Sequence, residues 1–311
     1  MKTIYAYLFF LSASLLNGSV FRETVTARLA GDPPPSVSFV NTFEVPSIDP
    51  ITVSEDIRLL LKNSTDYITR AKIASEIEFE ELSPADHSAI IFFLSNNIPI
   101  QSSSFGELSS YSLKNDLLVK YIDSDEDPLL VGELMLYVVL DTTQSLIWRE
   151  YVLQYFVDFY QRTWVGASPD YLPELRDAFQ SVLANCLFEK HALCGTSFIN
   201  LVYLYTTSPD FELSVVKNVA TIIAQDVTYS EASRISAIQV LGEIGDLDST
   251  RIAVAILSEE PKPSVGIQLA VLGALKMNTT WHADVNAGLQ SFLSTTTHAN
   301  LRYWAKKLIN N

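Results

Sequence analysis

The chain has 311 residues, 48% of them apolar and 18% charged, with a net charge of −15 and an isoelectric point near 4.6. This length and apolar share exclude a disordered chain and suit one large domain or two ordinary ones. The acidity excludes nucleic acid as a partner, because phosphate recognition needs clustered Lys and Arg, and it argues against adhesion to anionic lipid.

The first residues read as a secretory leader. Lys2 supplies a short cationic start, and a mostly apolar run from Ile4 to Leu16 follows, too short to span a bilayer. Residues 1–27 are expected as a signal peptide, with Leu16-Asn17-Gly18 or Val25-Thr26-Ala27 before the cut. No later stretch reaches eighteen uninterrupted apolar residues. The mature protein is therefore expected to be exported, periplasmic or extracellular, without stable membrane insertion. Residues 28–53 hold Pro33, Pro34, Pro35, Pro46 and Pro50 and read as an extended linker.

From about residue 54 onward, apolar residues at helical spacing alternate with short polar breaks. Helices are expected over 82–97, with Ser83 as N-cap and Pro84 at the first helical position, then over 110–124 and from Pro128 to 141. One continuous helix is expected over 145–164, and another over 171–190. Those at 195–208, 209–226, 230–246, 248–260, 263–276, 281–294 and 299–310 complete the set. The stretch 201–207 is rich enough in aromatic and β-branched residues for a strand, but it would have nothing to pair with. Breaks of two to seven residues make neighbouring helices antiparallel hairpins.

Few residues invite chemistry. Cys186 and Cys194 are the only cysteines. In an oxidising compartment their spacing suits a disulfide across a helix-to-helix turn, with free thiols as the alternative. With His191 they make too few ligands for a closed zinc site. The four histidines form no HExxH, and there is no GxSxG elbow, P-loop or GxGxxG. No catalytic residue, metal ligand or cofactor is therefore expected. The acidic turn 123–128 lacks the central Gly and the closing Glu of a calcium loop and reads as a source of caps before Pro128. Residues 148–164 are rich in aromatic side chains. In one continuous helix Tyr155, Phe156 and Phe159 face the core, which leaves Trp148, Tyr151 and Tyr160 as candidates for an exposed binding surface.

The C-terminal third carries a phrase that recurs. In Arg234-x-x-Ala237-x-x-Val240-Leu241-Gly242-x-Ile244-Gly245-Asp246 the apolar residues share one face, Gly242 permits close helix approach, and Gly245 ends the helix. Thirty-one residues on, Val271-Leu272-Gly273 and Leu275 repeat it, with Gln268 for Ala237. Arg302, Ala305, Leu308 and Ile309 begin it again; Arg149 and Arg176 head weaker versions. The phrase resembles the first-helix consensus of HEAT-like repeats, clearest over 230–311. The resemblance implies an all-α fold, a right-handed α-solenoid of antiparallel helical hairpins over 54–311, in which Arg234 and Asp246 serve stacking rather than catalysis. The function it implies is protein-protein interaction or scaffolding through a curved helical surface, with no enzyme activity. A lyase or enzyme accessory subunit, as some HEAT-like proteins are, and a passive envelope component are the alternatives.

Overall fold

A computed structural model of the chain describes residues 19–33, 43–47, 52–62, 64–96, 104–124, 127–168, 170–278 and 281–310; of 104–109 it describes the backbone alone. Most of the expected leader, the prolines at 34, 35 and 50, and two residues of the acidic turn lie outside this set. Among the described residues the fold is all-α, without a strand. The helices are α1 (Val20–Ala30), α2 (Glu55–Leu61), α3 (Tyr67–Glu76), α4 (Pro84–Ser95), α5 (Ser104–Asp123), α6 (Pro128–Leu140), α7 (Leu146–Gln154) and α8 (Phe156–Trp164). They continue with α9 (Pro173–Cys186), α10 (Ala192–Thr207), α11 (Leu213–Gln225), α12 (Glu231–Ile244), α13 (Leu247–Ile256), α14 (Val265–Lys276), α15 (Ala283–Thr295) and α16 (Ala299–Ile309). No described helix is long and apolar enough to cross a membrane.

Helix starts follow local chemistry. Ser83 and Asp86 form a reciprocal capping box before α4, with Pro84 in the first turn. Asp127, the end of the acidic turn, caps α6 by accepting from Leu129 N at 3.0 Å. Asp246 accepts from Ser249 N at 2.7 Å and starts α13 directly after Gly245, whose φ of 67° ends α12. The aromatic stretch 201–207 is the second half of α10.

Two departures from the sequence reading matter. The stretch 145–164 is two helices, broken at Tyr155 (φ −88°, ψ 0°). The Tyr155 hydroxyl donates to Asn115 Oδ1 at 2.9 Å, which holds the break against α5. The second is α1. Ser19 caps it and Gly31, at φ 80°, closes it, so the expected boundary between residues 27 and 28 falls inside its last turn. Phe21, Thr24 and Val25 are buried; Phe21 meets Phe211 edge-on at 5.1 Å, and Arg22 pairs with Glu212 at 3.0 Å.

The chain divides into two compact units, Val37–Val182 and Met1–Ser36 with Leu183–Asn311. In the first, α2, α4, α6 and α8 pack successively in one row and α3, α5 and α7 in another. In the second, α10, α12, α14 and α16 form one row, and α1, α11, α13 and α15 the other. Each row covers the apolar stripe of the other, so the core of each unit is the seam between its rows.

One contact repeats along both units. The fourth residue of α3, α7, α12 and α16 is an arginine: Arg70, Arg149, Arg234 and Arg302. The first three donate Nε to the carbonyl ten residues earlier, in the last turn of the preceding helix: Arg70 to Leu60 (2.6 Å), Arg149 to Val139 (2.8 Å) and Arg234 to Ala224 (2.8 Å). Arg302 reaches Leu293 O and Thr296 O at the end of α15. Each supplies a charged donor to carbonyls that the helix itself leaves open, at the negative end of its dipole. In α14 the fourth residue is Gln268, which donates to Pro263 O at 2.6 Å.

The two Leu-Gly phrases differ physically. A Cβ on Gly242 would lie 2.7 Å from Ala274 Cα, so α12 and α14 touch through backbone there. At Gly273 nothing lies within 4 Å of that position. Gly242→Val should therefore lower stability by about 1–3 kcal/mol through overpacking. Gly273→Ala should be neutral or raise it by up to about 1 kcal/mol, since alanine is the better helix former. Denaturant midpoints of the two variants check this contrast.

Candidate functional site

Trp148 and Tyr160, expected on the surface, are interior, at 1% and 0% exposure, and offer a partner nothing. Helical spacing pairs each with a core residue: Trp148 is one turn before the buried Val152, and Tyr160 is one turn beyond the buried Phe156. Its hydroxyl accepts from Arg176 Nε at 3.2 Å and Gln180 Nε2 at 3.4 Å, and its ring meets Trp164 at 4.7 Å. Tyr151 alone of the three is half-exposed. Phe156 and Phe159 lie in the core, as expected, against Phe179 at 4.3 and 5.1 Å.

The expected bridge between Cys186 and Cys194 is not formed, and both are buried thiols. Cys194 falls inside the first turn of α10 and donates its S–H to Leu187 O at 3.0 Å, past the end of α9. Burial pushes its pKa up to about 11, with Glu189 adding to the rise and a hydrogen bond with Ser233 opposing it. Such a thiol is a poor nucleophile and a poor metal ligand at neutral pH. No group of three or more His, Cys, Asp or Glu is placed to hold a metal ion among the described residues.

The polar centre of the first unit is the C-terminal end of α4. Lys114 of α5, 3% exposed, donates Nζ to Asn96 O at 2.6 Å and Leu94 O at 3.4 Å. Its ammonium lies 5.5 Å from the Phe93 ring and 5.1 Å from that of Trp148. Trp148 Nε1 donates to Leu94 O at 3.0 Å, and Gln144 Nε2 to Ser95 O at 2.6 Å. Three side chains from α5, α7 and the turn before α7 thus take the last carbonyls of α4. The sequence reading passed over Lys114 because a lysine in a helix is ordinarily solvated. The helical spacing of Leu113, Leu117 and Tyr121 gave no sign that the adjacent position also points inward.

Two cavities lie in this unit. One, of about 240 Å3, is lined by Tyr121, Pro128, Phe159, Arg162 and Tyr171. The Arg162 guanidinium is already committed to the carbonyls of Ile122, Asp123 and Ser124 at the end of α5. The other is an open groove of about 480 Å3 along α4 and α6, lined by His87, Ser88, Ile91, Leu130 and Glu133 and edged by Phe43, Glu44 and Pro46. His87 Nδ1 stands 3.3 Å from the Tyr121 hydroxyl, and the Phe43 ring 5.1 Å from that of Tyr137. A non-helical, proline-bearing stretch of the chain's own backbone therefore already lies along a helical face.

Three helices of one row in the second unit, α10, α14 and α16, expose large apolar side chains. Ile199 (54%) and Tyr203 (56%) project from α10, Leu269 (39%) from α14 and Tyr303 (60%) from α16. Exposure of this kind suits a protein partner rather than a small substrate. No protein-family model matches this chain, and no curated protein is detectably similar to it.

Lys114 has a measurable consequence. Burial lowers its pKa from the ordinary 10.5 to about 7, against the two carbonyls and two rings that favour the ammonium. Between those values the unfolded chain holds a proton that the folded chain releases. Stability contributed by this group is therefore lowest below about pH 7 and rises with pH up to the ordinary lysine value. Unfolding free energies from pH 6 to 10 should show a smaller rise in a Lys114→Met chain than in the parent. An identical slope would mean that Lys114 keeps an ordinary pKa.

Proposed function

We propose that this chain is an exported α-solenoid of HEAT-like helical hairpins that binds protein partners along the row formed by α10, α12, α14 and α16. Three features support the repeat reading: within each unit the helices pack in two rows, an arginine at the fourth position of four helices bonds to the end of the helix before, and Gly242 allows backbone contact between α12 and α14. Stacked hairpins make a long regular surface, the property that suits such proteins to partner binding rather than to enclosing a substrate. The leader-like start at Lys2 to Leu16 supports export.

The observation that carries the binding role is the exposure of Ile199, Tyr203, Leu269 and Tyr303 on one row of a strongly acidic protein. The stretch from Phe43 to Pro46, lying along α4 and α6, is a precedent within the molecule for a helical face that takes a non-helical segment.

Affinity capture from the exported fraction of the source cells tests this reading. Ile199 and Tyr203 are more than half exposed, so an Ile199→Asp/Tyr203→Asp chain should keep the parent's unfolding midpoint. It should lose proteins that the parent retains. The same proteins on both chains, or none on either, would remove this row as the binding surface.

A further inference from the structure

Seven of the 21 Lys and Arg side chains of this protein are used at helix ends. Arg70, Lys114, Lys120, Arg149, Arg162, Arg234 and Arg302 all donate to carbonyls in or just beyond the last turn of a helix. Lys276, Lys306 and Lys307 do not, and none of the three has a carboxylate partner among the described residues. They belong to a stretch with the opposite charge balance from the rest. Residues 261–311 carry five Lys and Arg and one acidic residue, against sixteen and thirty-five in residues 1–260. That one acidic residue, Asp284, is paired with Arg251 at 2.8 Å.

The geometry there is specific. The ring of Trp304, on α16, has Lys276 Nζ from α14 at 5.2 Å and Lys307 Nζ at 5.3 Å. Beside it is a cleft of about 200 Å3 lined by Leu269, Leu272, Gly273, Lys276 and Trp304. The space over Gly273 is open, and the exposed ring of Tyr303 lies 5.3 Å from that of Trp304. Two ammonium groups at one indole ring, beside an apolar floor, make a surface for a ligand that brings an apolar group and an anion together.

We propose that this end of the second unit docks an acidic segment of a partner protein, with an apolar side chain entering the cleft beside Trp304 and flanking carboxylates taking Lys276 and Lys307. The inference rests on the protein-binding reading above and assigns the partner's chemistry. Charge complementarity selects an acidic segment, and the Leu269–Leu272 floor selects one with apolar residues interspersed. A nucleic acid fits less well, because a phosphate track needs a longer run of cations than three lysines, and the remainder of the chain repels it.

Fluorescence anisotropy on the full chain tests this. The probes are a labelled peptide Glu-Ile-Glu-Phe-Glu-Glu-Leu (the sequence at 76–82 of this chain), its counterpart with Gln for each Glu, and an oligouridylate. The acidic peptide should bind saturably and weaken as salt is raised, and the Gln peptide should bind about tenfold more weakly or not at all. Lys276→Glu/Lys307→Glu should weaken acidic-peptide binding at least about tenfold. Gly273→Leu, which fills the cleft where no neighbour stands, should do the same without altering charge. Both chains should keep the parent's circular dichroism, and the Ile199→Asp/Tyr203→Asp chain should still bind the peptide. No saturable binding of the acidic peptide, equal binding by the charge-reversed chain, or tighter binding of the oligouridylate would overturn the proposal. Proteins captured through Ile199 and Tyr203 would be unaffected by that result, so the two readings fail separately.

Discussion

The structure depends on how helix C-termini are satisfied. Every α-helix ends with carbonyls that have no partner within it, and in a stack of short helices many of those ends lie against neighbours rather than in water. This protein meets the constraint with cations. Arg70, Arg149, Arg234 and Arg302 each reach back from the fourth position of one helix to the end of the one before, and so fix the hairpin between them. Lys120, Arg162 and Lys114 do the same for α3, α5 and α4 from non-adjacent positions in the chain. A charge-assisted hydrogen bond contributes about 1.5–3 kcal/mol, and leaving the carbonyl buried and unpaired costs a similar amount. The clamp thus selects the hairpin geometry as well as stabilising it.

From that constraint the rest follows. Hairpins held at one end and packed on their next-but-one neighbours generate two rows per unit with a continuous seam. Where backbones must approach, the residue is small, as at Gly242 against Ala274. Where the stack presents a face to solvent, long apolar side chains such as Ile199, Tyr203 and Tyr303 remain uncovered. Two groups of potential reactivity are enclosed instead: the thiol of Cys194 is buried, and the amine of Lys114 is surrounded by carbonyls and rings.

Much of this was legible in the residues. Ser83-Pro84 and Asp127-Pro128 announce helix starts because capping is local chemistry, and Gly245 announces an end because few other residues adopt positive φ without strain. The arginine phase shared by Arg149, Arg234 and Arg302 was visible as a pattern before its contacts were known. Arg176 fits the pattern by position yet bonds to the Tyr160 hydroxyl, and Arg70 was overlooked because α2 and α3 are short. The binding-surface candidates were misplaced for a different reason. Trp148 and Tyr160 sit at the margin of the apolar stripe, and what covers that margin, the Leu94 carbonyl, Arg176 and Gln180, is marked by no local pattern.

The sequence by itself determined most helices from residue 82 onward, their caps and the hairpin rhythm, since spacing, prolines, glycines and capping residues act over a few positions along the chain. Only the tertiary structure decided which residues are inside. Trp148 and Tyr160 are buried because partners distant in the chain close over them, the Leu94 carbonyl over the first and Arg176 and Gln180 over the second. Lys114 is buried because three elements converge on the end of α4. Lys276 and Lys307 flank one indole because α14 and α16 are neighbours in a row, although a full helix separates them in the chain. Burial and juxtaposition depend on partners distant in sequence, and local spacing carries no record of them.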